Sequence, residues 1–275
     1  MVYDSTLHKG VGGNMARDLV PAAQSKIVIQ RSGDRCAYPG CGIALSIDAQ
    51  VAEDQHKAVG KVAHICAASA GGPRYDPNMT SEQRGSADNL IYLCGPHHDI
   101  VDTQLNYHTV DLLREIKRKH ERTVARAMAH AMGQVGFEHL EVVCKFLGTS
   151  TARTNDADVI PIDIKEKVDL NELGPVAEER IKVGLAKSAE VAEFIDAISS
   201  MRPNFGNILA ARFKQEYYSG LAQGLAGDDL FEFICAAALE HAGPVESDTL
   251  RAATLATVAH FFQICELFEH ESPAA

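Results

Sequence analysis

Residues 61–102, KVAHICAASAGGPRYDPNMTSEQRGSADNLIYLCGPHHDIVD, contain the pattern that decides the fold of the N-terminal part. Residues 61–65 alternate well enough for a short strand that ends at His64. Asn89 stands directly before a second short apolar run, LIYL. Gly95 and Pro96 then open a helix, because proline suits the first helical turn. The stretch therefore predicts the order strand, loop, strand and helix.

Two short pairs of candidate metal ligands accompany this stretch. Cys36 and Cys41 enclose a turn of sequence AYPG, and Cys94 and His97 belong to the motif CGPH. Structural zinc prefers four tetrahedral Cys and His ligands, so these four residues predict one structural Zn²⁺ site. Four unrelated buried side chains are the alternative. The remaining cysteines have no such partners and are expected to be core thiols: Cys66, Cys144, Cys235 and Cys265.

A second pair of candidate ligands lies on the helix that follows Pro96. His98 and Asp102 are four residues apart, so both side chains leave the helix on one face. A histidine with a carboxylate suits Mg²⁺, Mn²⁺ or a late transition metal, and leaves positions for phosphate and water. A plain carboxylate on the helix surface is the alternative for Asp102.

The order His64, Asn89, His98 resembles the motif of the HNH, or ββα-metal, nucleases. Residues 63–102 are similar to the nuclease domain of HNH effectors in bacterial antiphage systems, including the HNH–SAVED proteins. The following YHTVDLLREIKRKHE is similar to the helix that closes those domains. The resemblance covers about residues 31–121, and it implies a zinc-stapled ββα nuclease fold.

The resemblance also implies roles for individual residues. His64 is the expected general base, which takes a proton from the attacking water. Asn89 is expected to orient this base and its loop by hydrogen bonding. His98 is expected to hold the catalytic Mg²⁺ or Mn²⁺, with Asp102 as a second ligand. His97 is assigned to the zinc instead, because adjacent residues on a helix point about 100° apart.

Two positions qualify this assignment. Arg74, in the GGPRY loop, is a candidate contact for the substrate phosphate, with a loop ion pair to Asp76 or Glu82 as the alternative. Ala63 stands where many HNH enzymes have an acidic metal ligand. His98 and Asp102 are therefore the remaining expected ligands of the catalytic metal. The alternative function is a catalytically inactive, zinc-stapled module that binds nucleic acid or protein.

The net charge of −11 is unevenly distributed along the 275 residues. Residues 1–147 hold 16 Lys+Arg and 16 Asp+Glu, whereas residues 148–275 hold 10 and 21. Phosphate backbones repel an acidic surface, so a DNA site is expected in the N-terminal part. The helix expected at about 109–132 carries an arginine at every fourth position from Arg114 to Arg126. These arginines are expected to form a solvated face paired with Asp111, Glu115 and Glu121. A face that follows a DNA backbone is the alternative.

The chain is expected to be α+β and to contain two domains. Residues 1–147 form the predicted HNH domain, 148–162 a small, polar linker, and 163–275 an all-helical domain. Turn and cap residues place four helices in the last part, at about 175–201, 207–223, 228–241 and 247–268. Their wide apolar faces favour a homo-oligomer or a docking surface for a partner protein.

The run NILAARFKQEYYSGLAQGLAGDDLFEFICAAAL, residues 207–239, is faintly similar to the C-terminal domains of effectors in ABC-three-component, or Lamassu-type, defence systems. With the nuclease resemblance, this implies a DNA endonuclease that acts as an antiphage effector. The sequence has neither a signal-peptide pattern nor an apolar run long enough for a membrane span, so a cytoplasmic location is expected.

Overall fold

A computed structural model describes residues 20–47, 57–147, 163–241, 247–264 and 267–268. The predicted linker at 148–162 lies outside the described residues. The fold is α+β and mostly helical, as predicted. The described strands are β1 Ser46–Ile47, β2 Lys57–Ala58, β3 Lys61–His64 and β4 Leu90–Leu93. The described helices are α1 Ala22–Arg31, α2 Ser81–Gly85, α3 Gly95–Thr103, α4 Val110–Ala131, α5 Phe137–Leu147, α6 Ile164–Leu170, α7 Pro175–Leu185, α8 Ser188–Met201, α9 Phe205–Ala222, α10 Gly227–His241 and α11 Asp248–Gln263.

Strands β3 and β4 form an antiparallel pair that continues into α3, so the predicted strand–loop–strand–helix order is confirmed. The register sets His64 opposite Leu90, at the end of the pair. All four residues of β4 are buried, whereas β3 is partly exposed. Proline occupies the first turn of α3, where a missing N–H costs no helical hydrogen bond. This small unit presents its polar residues at the edge where β3 ends and α3 begins.

Helix α1 is absent from the sequence expectations, although its spacing is helical. Ala23 and Ile27 are buried four positions apart, and Gln30 follows on the same side. The helix packs on α10, and Arg31 at its end bonds Asp229 at 3.0 Å. The N-terminal part is therefore joined to the C-terminal helices before the β strands begin.

The described C-terminal residues form helices and short connections without a strand, as predicted, but α6 was not expected and the first expected helix is two. Residues 175–201 break at Ala186 and Lys187, whose N–H groups bond carbonyls three residues back and so tighten the end of α7. Gly184 allows this helix to approach α11, since a Cβ there would lie 2.7 Å from the Cβ of Ala259. No described helix is both long and apolar enough to cross a bilayer.

Helix α11 is the centre of the helical part. Every residue from 251 to 262 is buried, on all sides of the helix. It packs against α4 and α5 of the N-terminal part as well as against α7, α8 and α10. One apolar cluster accordingly includes Ile27, Met128 and Phe261. The helical residues after 163 and helices α1, α4 and α5 thus share a core.

The wide apolar faces that favour an assembly surface are covered within the chain. Phe231, Phe261 and Phe262 are almost completely buried. Among the described residues of α8 and α9, Met201 and Tyr218 keep large exposed areas, 73% and 64%. Assembly through the C-terminal helices remains a proposal that must rest on such exposed residues.

The shared core predicts that both parts of the chain unfold together. Replacing Phe261 by Ala should lower the free energy of unfolding by about 3–5 kcal/mol, because it leaves a cavity. Tyr218→Ala, at an exposed aromatic, should cost about 0.5 kcal/mol or less. Denaturant titration measures the two changes in the free energy of unfolding. Hydrogen exchange then shows whether the two parts of the chain open together. Amides of α4 that stay protected after those of α7 have exchanged would contradict the shared core.

Candidate functional site

The four residues predicted to bind zinc lie together. The donor atoms of Cys36, Cys41, Cys94 and His97 are all within 4.8 Å of one another. Nδ1 of His97 lies 3.6 Å from Sγ of Cys36 and 3.1 Å from Sγ of Cys94. The N–H of Cys94 points to Sγ of Cys36 at 3.3 Å.

This donor set fits a tetrahedral zinc ion. Zn–S bonds of about 2.3 Å and a Zn–N bond of about 2.0 Å require S–N edges of roughly 3.5 Å. Burial raises the pKa of the Cys36 thiol to about 12, which disfavours the thiolate. A bound divalent cation reverses that preference, because a coordinating thiol is deprotonated. The arrangement is consistent with a structural zinc site.

Aromatic residues that the sequence analysis missed hold the histidine of this cluster. Tyr38 stacks on His97 with ring centroids 4.0 Å apart and planes at 8°. The Tyr38 hydroxyl lies 3.2 Å from Nε2 of His108, which is fully buried. Tyr38 stands inside the AYPG turn between two ligands, a position that could have indicated this contact.

On the other side of β3 and α3, His64, His98 and Asp102 line one cavity of about 340 Å³. His64 enters from the end of β3, and the other two enter from α3. Nε2 of His98 lies 4.0 Å from Oδ2 of Asp102. Three of the residues predicted for catalysis and metal binding are therefore brought together, and His97 on the same helical turn faces the cysteines instead.

Asn89 is buried beneath the loop that follows His64. Its Oδ1 accepts the N–H of Cys66 at 2.9 Å, and its Nδ2 donates to the carbonyl of Cys66 at 2.8 Å. Nδ2 also donates to the carbonyl of Arg84 at 2.9 Å, while the Asn89 carbonyl accepts the N–H of Ile65. Asn89 thus holds the loop after His64, as expected, but none of these four bonds reaches the imidazole of His64 itself.

Arg74 is bonded to the protein rather than open to solvent. Its side chain is 6% exposed and donates to the carbonyls of Ile65 at 2.8 Å and Val101 at 2.7 Å. Its third bond goes to Oδ1 of Asp102 at 2.8 Å. The alternative of a loop ion pair is the one the contacts favour, with Asp102 in place of Asp76 or Glu82. Phosphate contact by Arg74 stays a prediction that these bonds do not support.

The loop between β3 and Arg74 forms a wall of the cavity and is closely packed. The N–H of Ala67 bonds the carbonyl of Pro73 at 3.1 Å, and that of Gly72 bonds the carbonyl of Ser69 at 3.1 Å. A Cβ on Gly72 would lie 2.6 Å from the Cβ of Ala67. Arg74 itself has φ of 56°, a conformation that costs energy in a non-glycine residue. Its three hydrogen bonds compensate for that cost.

Models of known protein families do not match this chain, and neither do curated protein sequences. The function is accordingly inferred from the residues and their geometry.

One tightly bound zinc per chain is expected. Metal analysis after extensive dialysis should give close to one equivalent. Cys36→Ser should lose the zinc and unfold the β3–β4 region, since metal binding and folding are coupled in small metal-stapled units. Cys144→Ala, at a buried thiol outside the cluster, should keep the zinc. A wild-type protein that is folded and free of zinc would contradict the site.

Proposed function

We propose that the chain is a metal-dependent DNA endonuclease of the HNH type, which hydrolyses phosphodiester bonds. The observation that carries the proposal is the shared cavity of His64, His98 and Asp102 beside a buried Asn89. These residues follow the order of the HNH motif, and the ββα secondary structure suits it.

His64 suits the role of general base. Histidine is the side chain that most often transfers protons as a positioned base in enzymes. His64 directly precedes a loop, and Asn89 makes three hydrogen bonds to the backbone of that loop. Such fixation keeps the imidazole in one place while a water molecule is deprotonated in front of a phosphodiester.

His98 and Asp102 would hold the catalytic cation. Neighbouring ligands of an octahedral ion with bonds of about 2.1 Å lie about 3 Å apart, so binding would draw the two donors closer than the observed 4.0 Å. When bound, Mg²⁺ or Mn²⁺ would stabilise charge on the phosphate and the departing oxygen. Arg74 holds Oδ1 of Asp102, so Oδ2 is the oxygen turned toward His98.

An inactive zinc-stapled binding module is the second candidate. Within the described parts of the chain, the cluster of Cys36, Cys41, Cys94 and His97 is the group that brings three or more ligands within 4.8 Å. His64, His98 and Asp102 do not meet that distance together. This favours a structural role for metal, and only an activity measurement separates the two candidates.

The role of antiphage effector rests on the resemblance to HNH effectors and on the faint C-terminal similarity. DNA is the proposed substrate, and a second copy or a partner protein is proposed to bind the C-terminal helices. The acidic charge of residues 148–275 supports a protein rather than a nucleic acid as the partner of that part.

Plasmid nicking in Mg²⁺ or Mn²⁺ tests the function. His64→Ala should lower the cleavage rate by roughly 10²–10⁴-fold, as expected when a positioned base is lost. His98→Ala should instead raise the metal concentration needed for cleavage. His130→Ala, at an exposed histidine of α4, is the matched control and should cleave like wild type. Cleavage by His64→Ala at the wild-type rate would overturn the assignment of the base, and a metal-independent or inactive wild type would favour the binding module.

Arg74 offers a separate test of the metal site. Arg74→Gln removes the bond that fixes Asp102, so the metal concentration for half-maximal cleavage should rise roughly 10–100-fold, as for other residues that orient a metal ligand. Arg74→Lys should also be impaired, because lysine cannot supply three diverging donors. If Arg74 contacts phosphate instead, the substitutions will weaken DNA binding and leave the metal dependence unchanged.

A further inference from the structure

The exposed face of α4 carries four arginines: Arg114, Arg118, Arg122 and Arg126. Four residues advance an α-helix by about 6 Å and turn it about 40° beyond a full circle. The four guanidinium groups therefore follow a gently winding line about 18 Å long. The opposite side of α4 is anchored in the core through residues such as Leu113, Val124 and Met128.

Of the three carboxylates expected to pair with this arginine line, Glu115 and Glu121 are bonded to lysines. Lys119 lies 2.6 Å from Glu115, and Lys117 bonds Glu121. Among the described residues, none of the four arginines forms an ion pair with a carboxylate. The direct pairing favoured from the sequence is therefore not found, although Asp111, Glu115 and Glu121 line the same cavity as Arg114 and Arg118.

The arginine line begins next to the candidate nuclease site. The positive charge of Arg114 acts on the Cys66 thiol, opposing the larger effect of burial, which raises the pKa of that thiol. Cys66 is two residues after His64 and is held by Asn89. Arg114 and Asn89 also line a common cavity of about 900 Å³, which is distinct from the cavity of His64 and shares no lining residue with it. From there the line runs along α4 away from the site.

We infer that this arginine line binds the phosphate backbone of the duplex DNA presented to the His64 site, an inference that rests on the proposed nuclease function. Arginine presents a planar fork of donors that matches phosphate oxygens. An acidic membrane surface is a poorer match. Helices that bind membranes insert large apolar residues, and α4 contributes none of the large apolar side chains that are exposed in the described chain.

Contacts of this kind are independent of base sequence and sensitive to salt. The first 147 residues have no net charge, so the arginine line is a local positive feature on an otherwise acidic protein. It would set the direction in which DNA crosses the site. Helix α4 would contact phosphates and would not recognise bases.

The test uses the full-length protein and a fluorescent duplex without added divalent metal. Arg118→Gln with Arg122→Gln should raise Kd roughly tenfold or more and lower the slope of log K against log salt by about 2. Lys165→Gln with Arg202→Gln removes two exposed cations elsewhere and should change Kd less than about twofold. Circular dichroism should show both proteins folded, since all four positions are exposed.

Equal weakening by both pairs, or none by the arginine pair, would overturn the inference, as would preferential binding to vesicles of acidic lipid. Nicking assays separate this from the proposed function. If the wild type binds DNA through these arginines but cuts nothing, the DNA-binding inference is supported and the proposed nuclease function is wrong. Cleavage that depends on His64, with Kd unchanged in the arginine pair, would support the nuclease function and overturn the DNA-binding inference.

Discussion

The first turn of α3 must serve two sites at once, and the geometry of the N-terminal part depends on this constraint. His97 and His98 are neighbours in the chain, but a helix turns them about 100° apart. His97 meets Cys36 and Cys94, whereas His98 faces the cavity of His64. A metal that fixes the rotation of α3 through His97 therefore also fixes the direction of His98. The structural site and the candidate catalytic site are linked by one peptide bond.

Buried hydrogen bonds hold the His64 loop in place. Strands β3 and β4 are four residues each, too short to hold a long loop by packing alone. Asn89 bonds the loop from beneath, and Arg74 ties it to the end of α3 through Val101 and Asp102. Buried groups whose hydrogen bonds are all satisfied define a single geometry more strictly than apolar contact does. Precise placement is what a general base and its substrate need.

Sequence patterns predicted the local features and the joining of the two Cys/His pairs, but they missed other long-range contacts. The Cys/His pairs, the strand ending at His64 and the helix at Pro96 depend on spacing within a few residues, and each is found. The bond from Arg74 to Asp102 spans 28 positions, and α1 packs on a helix some 200 positions away. Neither of these two contacts can be recognised from the spacing of residues along the chain. The break between α7 and α8 at Ala186 and Lys187 was not predicted, because neither a proline nor a side-chain cap marks it in the sequence.

The shared core has a consequence for how charge is arranged. Helix α4 contributes one face to the apolar cluster with α11 and turns its arginines outward. Several acidic residues after 148 lie beside this helix, because Asp228, Asp229 and Glu232 of α10 line a common pocket with Val124 and Met128 of α4. A polyanion is then attracted to the exposed arginines of α4 and repelled by the carboxylates next to the helix. Because α4 packs on α11, the same contacts that bury α11 also fix which side of α4 carries the exposed arginines.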